Sequence, residues 1–201
     1  MLETIIFIII FLFSVVFHEL AHGYVALSLG DDTAKKAGRL TLNPIKHLDL
    51  MGSIILPGAL ILLNSSFVFG WAKPVPINPY NFNDKKYGNA KVAIAGPLAN
   101  FALAIIFGLT LRFFPSLLVI QKVSFIFIYI VQINLILGLF NLLPIPPLDG
   151  SHILFTFIKS KELKMFFMRY GLIVLIFGIY VLLPHLSRLV GWLTGLIIGL
   201  T

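Results

Sequence analysis

The sequence has no cysteine. That excludes disulfides and every zinc site built on thiolates, and it leaves the compartment open. Charge is scarce as well: Asp, Glu, Lys and Arg make up 11% of the chain, against about 25% in a typical soluble domain. Apolar residues account for 59%, and mean hydropathy is +1.00. No polar stretch is long enough to form a separate soluble module, and there is no internal repeat or low-complexity tail. The N-terminus lacks the basic region of a signal peptide and carries Glu3. The net charge of +7 does not point to nucleic acid, because the basic residues are spread over loops between hydrophobic runs. What is left is an all-α polytopic membrane protein, a single domain over residues 1–201.

Several apolar runs approach the ~20 residues that cross a bilayer as a helix. They lie at about Thr4–Leu27, Met51–Phe69, Val92–Phe114, Phe125–Leu143, Tyr170–Leu183 and Leu189–Leu200, the last short for a span. The expectation is therefore about five to six hydrophobic segments in a multi-pass protein of the cell membrane. Lys and Arg collect in three loops: Lys35, Lys36, Arg39 and Lys46; then Lys73, Lys85, Lys86 and Lys91; then Lys159, Lys161, Lys164 and Arg169. Basic loops face the cytoplasm, so the N-terminus is expected outside. For the first two loops to share a side, Met51–Phe69 must not cross. It is expected to be re-entrant, with Pro57-Gly58 as the bend. Gly38–Leu42 and Ser66–Val75 alternate or are rich in Phe and Val, which predicts short β-strands at the cytoplasmic membrane edge.

The chemistry is concentrated in His18-Glu19-Leu20-Ala21-His22, an H-E-x-x-H pattern at the end of an apolar run. Four residues apart on a helix, the two imidazoles share a face, with about 5–6 Å between Cβ atoms, and can hold one zinc ion. Glu19 lies about a hundred degrees round, beside the metal, where it can take a proton from an activated water. Each ionisable residue in a span costs about 2.5–3.5 kcal/mol on insertion scales. Three together call for a shared partner.

A catalytic zinc needs a third protein ligand and an open position. His47, His152, His185 and the remaining acids are candidates, and Asp149 stands out. It ends Asn141-Leu-Leu-Pro-Ile-Pro-Pro-Leu-Asp149-Gly150, where three prolines stop a helix and hold an extended return segment. If Met51–Phe69 does not cross, the parity of spans brings Asp149 to the side of His22. His18, roughly 21 Å into its span at 1.5 Å per residue, then sits toward the cytoplasmic side. Asn141 reads two ways, as a helix-end cap or as a neutral donor to a developing oxyanion.

H-E-L-A-H in a first span, Gly96-Pro97-Leu98-Ala99-Asn100 in a middle one and N-x-x-P-x-x-x-L-D-G after a later one resemble the site-2 protease family of intramembrane zinc metalloproteases. The match covers roughly residues 10 to 155. The resemblance implies that His18, His22 and Asp149 bind one Zn2+ per chain and that Glu19 is the base. It implies that Asn141 stabilises the tetrahedral intermediate and that Asn100 positions substrate. Many relatives carry PDZ or CBS domains; this chain has no room for either and looks like a minimal form. Gly70–Pro79 also resembles a compact bacterial and archaeal branch.

The expected activity is hydrolysis of peptide bonds in or near membrane spans. Its partners are membrane-protein substrates and the lipid bilayer, with no nucleic acid, and nothing in the sequence sets an oligomeric state. Two other classes fit an intramembrane His–Glu–Asp set: a zinc-binding scaffold without proteolysis, and a metal or proton transporter. An intact Glu19 argues against the scaffold. Polar residues gathered toward one face, not along a path, argue against the transporter.

Overall fold

A computed structural model describes residues 2–63 and 71–200. The architecture is helical, and there is no strand among the described residues. In chain order the helices are α1 (Leu2–Ser28), the single turn α2 (Thr33–Lys36), α3 (Leu56–Leu62), α4 (Gly88–Phe113), the turn α5 (Ser116–Val119), α6 (Gln121–Asn141), α7 (Asp149–Phe157) and α8 (Lys161–Ile198). Short 3-10 turns at Pro44–His47 and Pro79–Asn81 and a π-helical stretch at Leu50–Ile55 lie in the loops. Among the described residues, four helices are long and apolar enough to cross a membrane: α1, α4, α6 and α8.

α4 is the central helix and packs against α1, α6, α7 and α8. Its core contacts with α6 and α8 centre on Ala104, Val131, Leu135 and Val190. Small residues let the helices approach, since lipid tails supply no hydrophobic drive between spans. Gly138 of α6 meets the Phe101 ring, and Gly108 of α4 meets Ile197 of α8. A second cluster of Ala26, Phe82 and Val92 joins the end of α1 to the start of α4. Outside these contacts large apolar side chains are exposed, such as Ile5, Ile8 and Phe11 on α1 and Ile173, Phe177 and Tyr180 on α8. In a chain of this hydropathy that surface faces lipid.

Two expectations change, and a third falls partly outside the described residues. The two last segments, Tyr170–Leu183 and Leu189–Leu200, are one 38-residue helix, α8, that runs through Pro184. A proline removes a single N–H, and the helix is the form that keeps the remaining backbone bonded in lipid. At 1.5 Å per residue α8 is roughly 57 Å long, more than one bilayer core. Its start is capped by Ser160, whose Oγ accepts from Leu163 N–H at 3.1 Å, and its end by Gly199 at φ 85°.

Second, the expected strands are absent among the described residues. Gly38–Leu42 turns at Gly38 (φ 62°). Of Ser66–Val75, residues 66–70 lie outside the described residues, and residues 71–75 have no regular secondary structure. Their backbone bonds go elsewhere. Trp71 N–H donates to Gly52 O at 3.1 Å and Lys73 N–H to His47 O at 2.9 Å. A ladder needs those groups, so no sheet forms.

Third, the described part of Met51–Phe69 is a π-helical stretch that becomes α3 at Leu56, just before Pro57. It is not among the four long helices. Residues 64–69 of this segment lie outside the described residues.

Candidate metal centre

α1 carries His18 and His22 one turn apart, with ring centroids 4.6 Å apart and planes at 86°. Their Nε2 atoms are 3.0 Å from each other. The chain then comes back from α6 through Pro144, Pro146 and Pro147, and α7 begins at Asp149. Asp149 Oδ2 lies 3.1 Å from His18 Nε2 and 3.3 Å from His22 Nε2. Residues 131 positions apart in sequence thus converge on one point.

Glycine makes the convergence possible in two places. A Cβ on Gly96 of α4 would lie 2.6 Å from the His18 ring, so only glycine lets α4 pass this close to α1. A Cβ on Gly150 would overlap the carbonyls of Leu142 and Leu143, so Asp149 reaches inward only because α7 starts flush against the end of α6.

The protons can be assigned from the partners. His22 Nδ1 lies 2.7 Å from the Val92 carbonyl, which only accepts, so Nδ1 carries the hydrogen. His18 Nδ1 lies 2.6 Å from Asn100 Oδ1. The other end of that amide, Asn100 Nδ2, donates to Ser14 O at 3.2 Å and Asn134 Oδ1 at 2.8 Å, so the oxygen is the end facing His18. His18 Nδ1 therefore donates too. Asn134 in turn donates from Nδ2 to Ser14 Oγ at 2.9 Å and Ile130 O at 2.8 Å. Asn100 and Asn134 are fully buried and Ser14 nearly so. The network ties α1, α4 and α6 together behind His18.

With Nδ1 the protonated nitrogen of each neutral ring, both Nε2 atoms are left to turn their lone pairs toward each other and Asp149 Oδ2. Asp149 Oδ2 is buried with no hydrogen-bond donor. Three electron-pair donors at 3.0–3.3 Å repel unless a proton or a metal cation lies among them. One nitrogen from each histidine and one carboxylate oxygen lie within 4.8 Å of one another, the only such group of His, Cys, Asp and Glu among the described residues. Two imidazoles and a carboxylate are a ligand set of catalytic zinc sites, and the second-nitrogen bonds are of the kind that orient such ligands.

The donors open on a cleft of ≈ 490 Å³ whose walls include Glu19, Val75, Asn89, Asn141 and His152. Glu19 Oε2 accepts from Val75 N–H at 2.7 Å. Asn141, the last residue of α6, donates from Nδ2 to Leu137 O at 3.0 Å while lining the cleft. Asn100 lies outside the cleft lining, behind His18. His47 is buried elsewhere, with Nε2–H donating to Thr41 O at 2.9 Å.

Sequence reasoning missed Ser14 and Asn134, and it gave Val75, Arg39 and Asp31 no part in supporting Glu19. Asn134 had a signal: like Asn141, it is an unpaired-looking amide in an apolar span. Asp31 lies just beyond α1 and is fully buried. Burial pushes its carboxyl up, but hydrogen bonds from Thr33, Asn78 and Asn81 outweigh that and hold it below its ordinary 3.8.

Comparison with known proteins gives a peptidase family. The profile described as Peptidase family M50 matches residues 6–125 and 116–184. A Bacillus subtilis (strain 168) protein named "Putative zinc metalloprotease YwhC" is 44% identical over 195 residues, covering 90% of this chain and 85% of that protein. Zinc metalloprotease MJ0392 of Methanocaldococcus jannaschii is 30% identical over 159 residues, covering 79% of this chain and 35% of that protein. Rip2 of Mycolicibacterium smegmatis is 34% identical over 140 residues, covering 69% of this chain and 52% of that protein. The chain thus spans most of the Bacillus relative, about half of Rip2 and about a third of MJ0392. No solved structure is a significant match.

Proposed function

Because the chain belongs to peptidase family M50, we propose that His18, His22 and Asp149 hold one zinc ion and that Glu19 is the general base of peptide-bond hydrolysis. The protein is an intramembrane zinc metalloprotease with several membrane helices. The observation that carries the site assignment is the meeting of two imidazole nitrogens and a carboxylate oxygen beside Glu19 in one cleft.

Zinc bound there supplies Lewis acidity, polarising a substrate carbonyl and acidifying water. The chain's own residues do the rest. Val92 O and Asn100 Oδ1 hold the two imidazoles in the tautomer that turns Nε2 inward. Glu19, with Oε2 held by Val75, keeps Oε1 to take the proton from water and deliver it to the leaving nitrogen. Asn141, on the same cleft wall, donates to the carbonyl oxygen as negative charge builds, in place of its present bond to Leu137 O. Asn100 acts through His18 and not on substrate.

Substrates are membrane proteins, cut in or near a span whose helix is locally unwound. Pro74, Val75, Ile77 and Pro79 wall the cleft beside the donor atoms, which supports docking of the unwound stretch against them. The Lys and Arg distribution supports an N-terminus outside the cell and a site toward the cytoplasmic side. The decisive experiment uses a cleavable membrane substrate in proteoliposomes. Glu19→Gln should lower turnover by about 10²–10⁴-fold with zinc retained. Turnover equal to wild type would sink the protease reading.

A further inference from the structure

The stretch from Trp71 to Asn78 crosses the site as a strap, and its proline pattern leaves it one amide at the critical place. Pro74 and Pro76 have no N–H. Val75 is therefore the only donor of the Pro74-Val75-Pro76 triplet, and its hydrogen goes to Glu19 Oε2 at 2.7 Å.

Both flanks of Val75 are clamped by buried charged residues that the catalytic cleft does not use. Upstream, Arg39 Nη2 donates to Lys73 O at 2.9 Å and Pro74 O at 3.3 Å. Arg39 is only 7% exposed. Downstream, Asp31 Oδ2 accepts from Asn78 N–H at 2.7 Å, and Asp31 Oδ1 accepts from Thr33 N–H and Asn81 Nδ2. Burying two ionised side chains is costly unless they are well bonded. Here the bonds of both run to the strap or to its anchor.

The strap also lies on the face of α1 that carries the base. Glu19 and Gly23 are four residues apart, one above the other on that helix. A Cβ on Gly23 would lie 2.5 Å from Leu40 Cδ2 and 3.1 Å from Val75 Cγ1, so Leu40 and Val75 together fill the space glycine leaves. A glutamate on a helix has three rotatable bonds, and nothing in H-E-x-x-H holds its carboxylate toward the cleft. A single N–H from a clamped backbone does. It binds one oxygen and leaves the other for the proton.

We propose that the Val75 amide positions the Glu19 carboxylate for proton transfer, and that Arg39 and Asp31 are positioning residues acting through it. The proposal rests on Glu19 being the base. It assigns the sequence between α1 and α4 a part in the chemistry beyond docking.

The test replaces the Val75 amide by an ester, using the corresponding α-hydroxy acid in the full-length zinc-loaded protein. This removes the hydrogen and keeps the side chain. Val75→Ala, which keeps the amide, measures the cost of the side chain alone. The ester should lower kcat about 10- to 100-fold, the scale of a misplaced catalytic group, beyond any loss in Val75→Ala. KM should stay within about twofold and zinc content should be unchanged, because the base acts after binding and is not a ligand. In a Glu19→Gln background the ester should cost nothing more. Arg39→Ala should lower kcat in the same way and Arg39→Lys should restore part of it. An ester variant with the kcat of Val75→Ala, or a loss confined to KM, overturns the proposal. A fully active Glu19→Gln overturns the proposed function instead, so the two failures are distinct.

Discussion

The two halves of the site are held in contrasting ways. The donor half is supported by helices: His18 through Asn100, Asn134 and Ser14, and His22 through the Val92 carbonyl, all inside the packing of α1, α4 and α6. The base half is supported by loop backbone: Glu19 through Val75, which hangs between Arg39 and Asp31. Side chains on packed helices have few alternatives, because shifting one means moving a whole face. A strap is held by a handful of hydrogen bonds and can yield to a substrate strand. A metal must stay through every turnover, whereas the groups beside it must admit and release a polypeptide.

The sharpest way to break the contrast is to remove a donor. Asp149→Ala should lose tight zinc binding, measured as zinc content of purified protein. Retention of stoichiometric zinc would mean that the third ligand lies elsewhere. The chain should still fold in detergent, because Asp149 starts α7 and lies outside both buried apolar clusters.

A smaller effect is expected one step back from the metal. Asn134→Leu leaves Asn100 Nδ2 with only the Ser14 carbonyl and frees the amide to turn. Zinc affinity should drop about 10- to 100-fold, the usual cost of losing an orienting partner. Competition with a chelator would measure this, and the visible spectrum of the cobalt-substituted protein should shift with it. If affinity is unchanged while thermal stability falls, the network serves packing only.

The smallest effect belongs to the strap. The Asp31 carboxyl has a folded pKa below its ordinary 3.8, so its ionised form is favoured by folding. That contribution is complete above the unfolded value and is lost as pH falls through the folded one. Wild type should therefore lose thermal stability on acidification below about pH 4, and Asp31→Asn should lose less over that range. At neutral pH the variant should be less stable than wild type, since a neutral amide accepts more weakly from Asn78 N–H and Asn81. Parallel melting curves at all pH values would show that Asp31 does not anchor the strap.

How far the sequence could be read varies with the range of the forces involved. H-E-x-x-H on a helix is a local statement, since 3.6 residues per turn fix which side chains share a face. Asp149 was reachable because parity of spans is a counting argument. The expected strands failed because alternation of Gly38–Leu42 describes one chain, whereas a strand also needs a neighbour. Arg39 illustrates a different gap. Counted by type it is one more basic loop residue, but in the fold it is a buried clamp on residues 73 and 74. Reading Tyr170–Leu183 and Leu189–Leu200 as separate runs followed hydropathy alone, whereas the bilayer's demand for a bonded backbone joins them in one helix.

Composition, span count and the H-E-x-x-H spacing by themselves determined that this is a membrane protein, that two imidazoles and a glutamate share one helix turn, and that a distant aspartate was needed. Those properties follow from local helix geometry and from the cost of charge in lipid. Only the tertiary structure decided which nitrogen each histidine turns inward, that Gly96 admits the rings against α4, and that Glu19 leans on the backbone of a strap. Each of these is a distance between parts of the chain far apart in sequence, set by how helices and loops pack, and no local pattern encodes it.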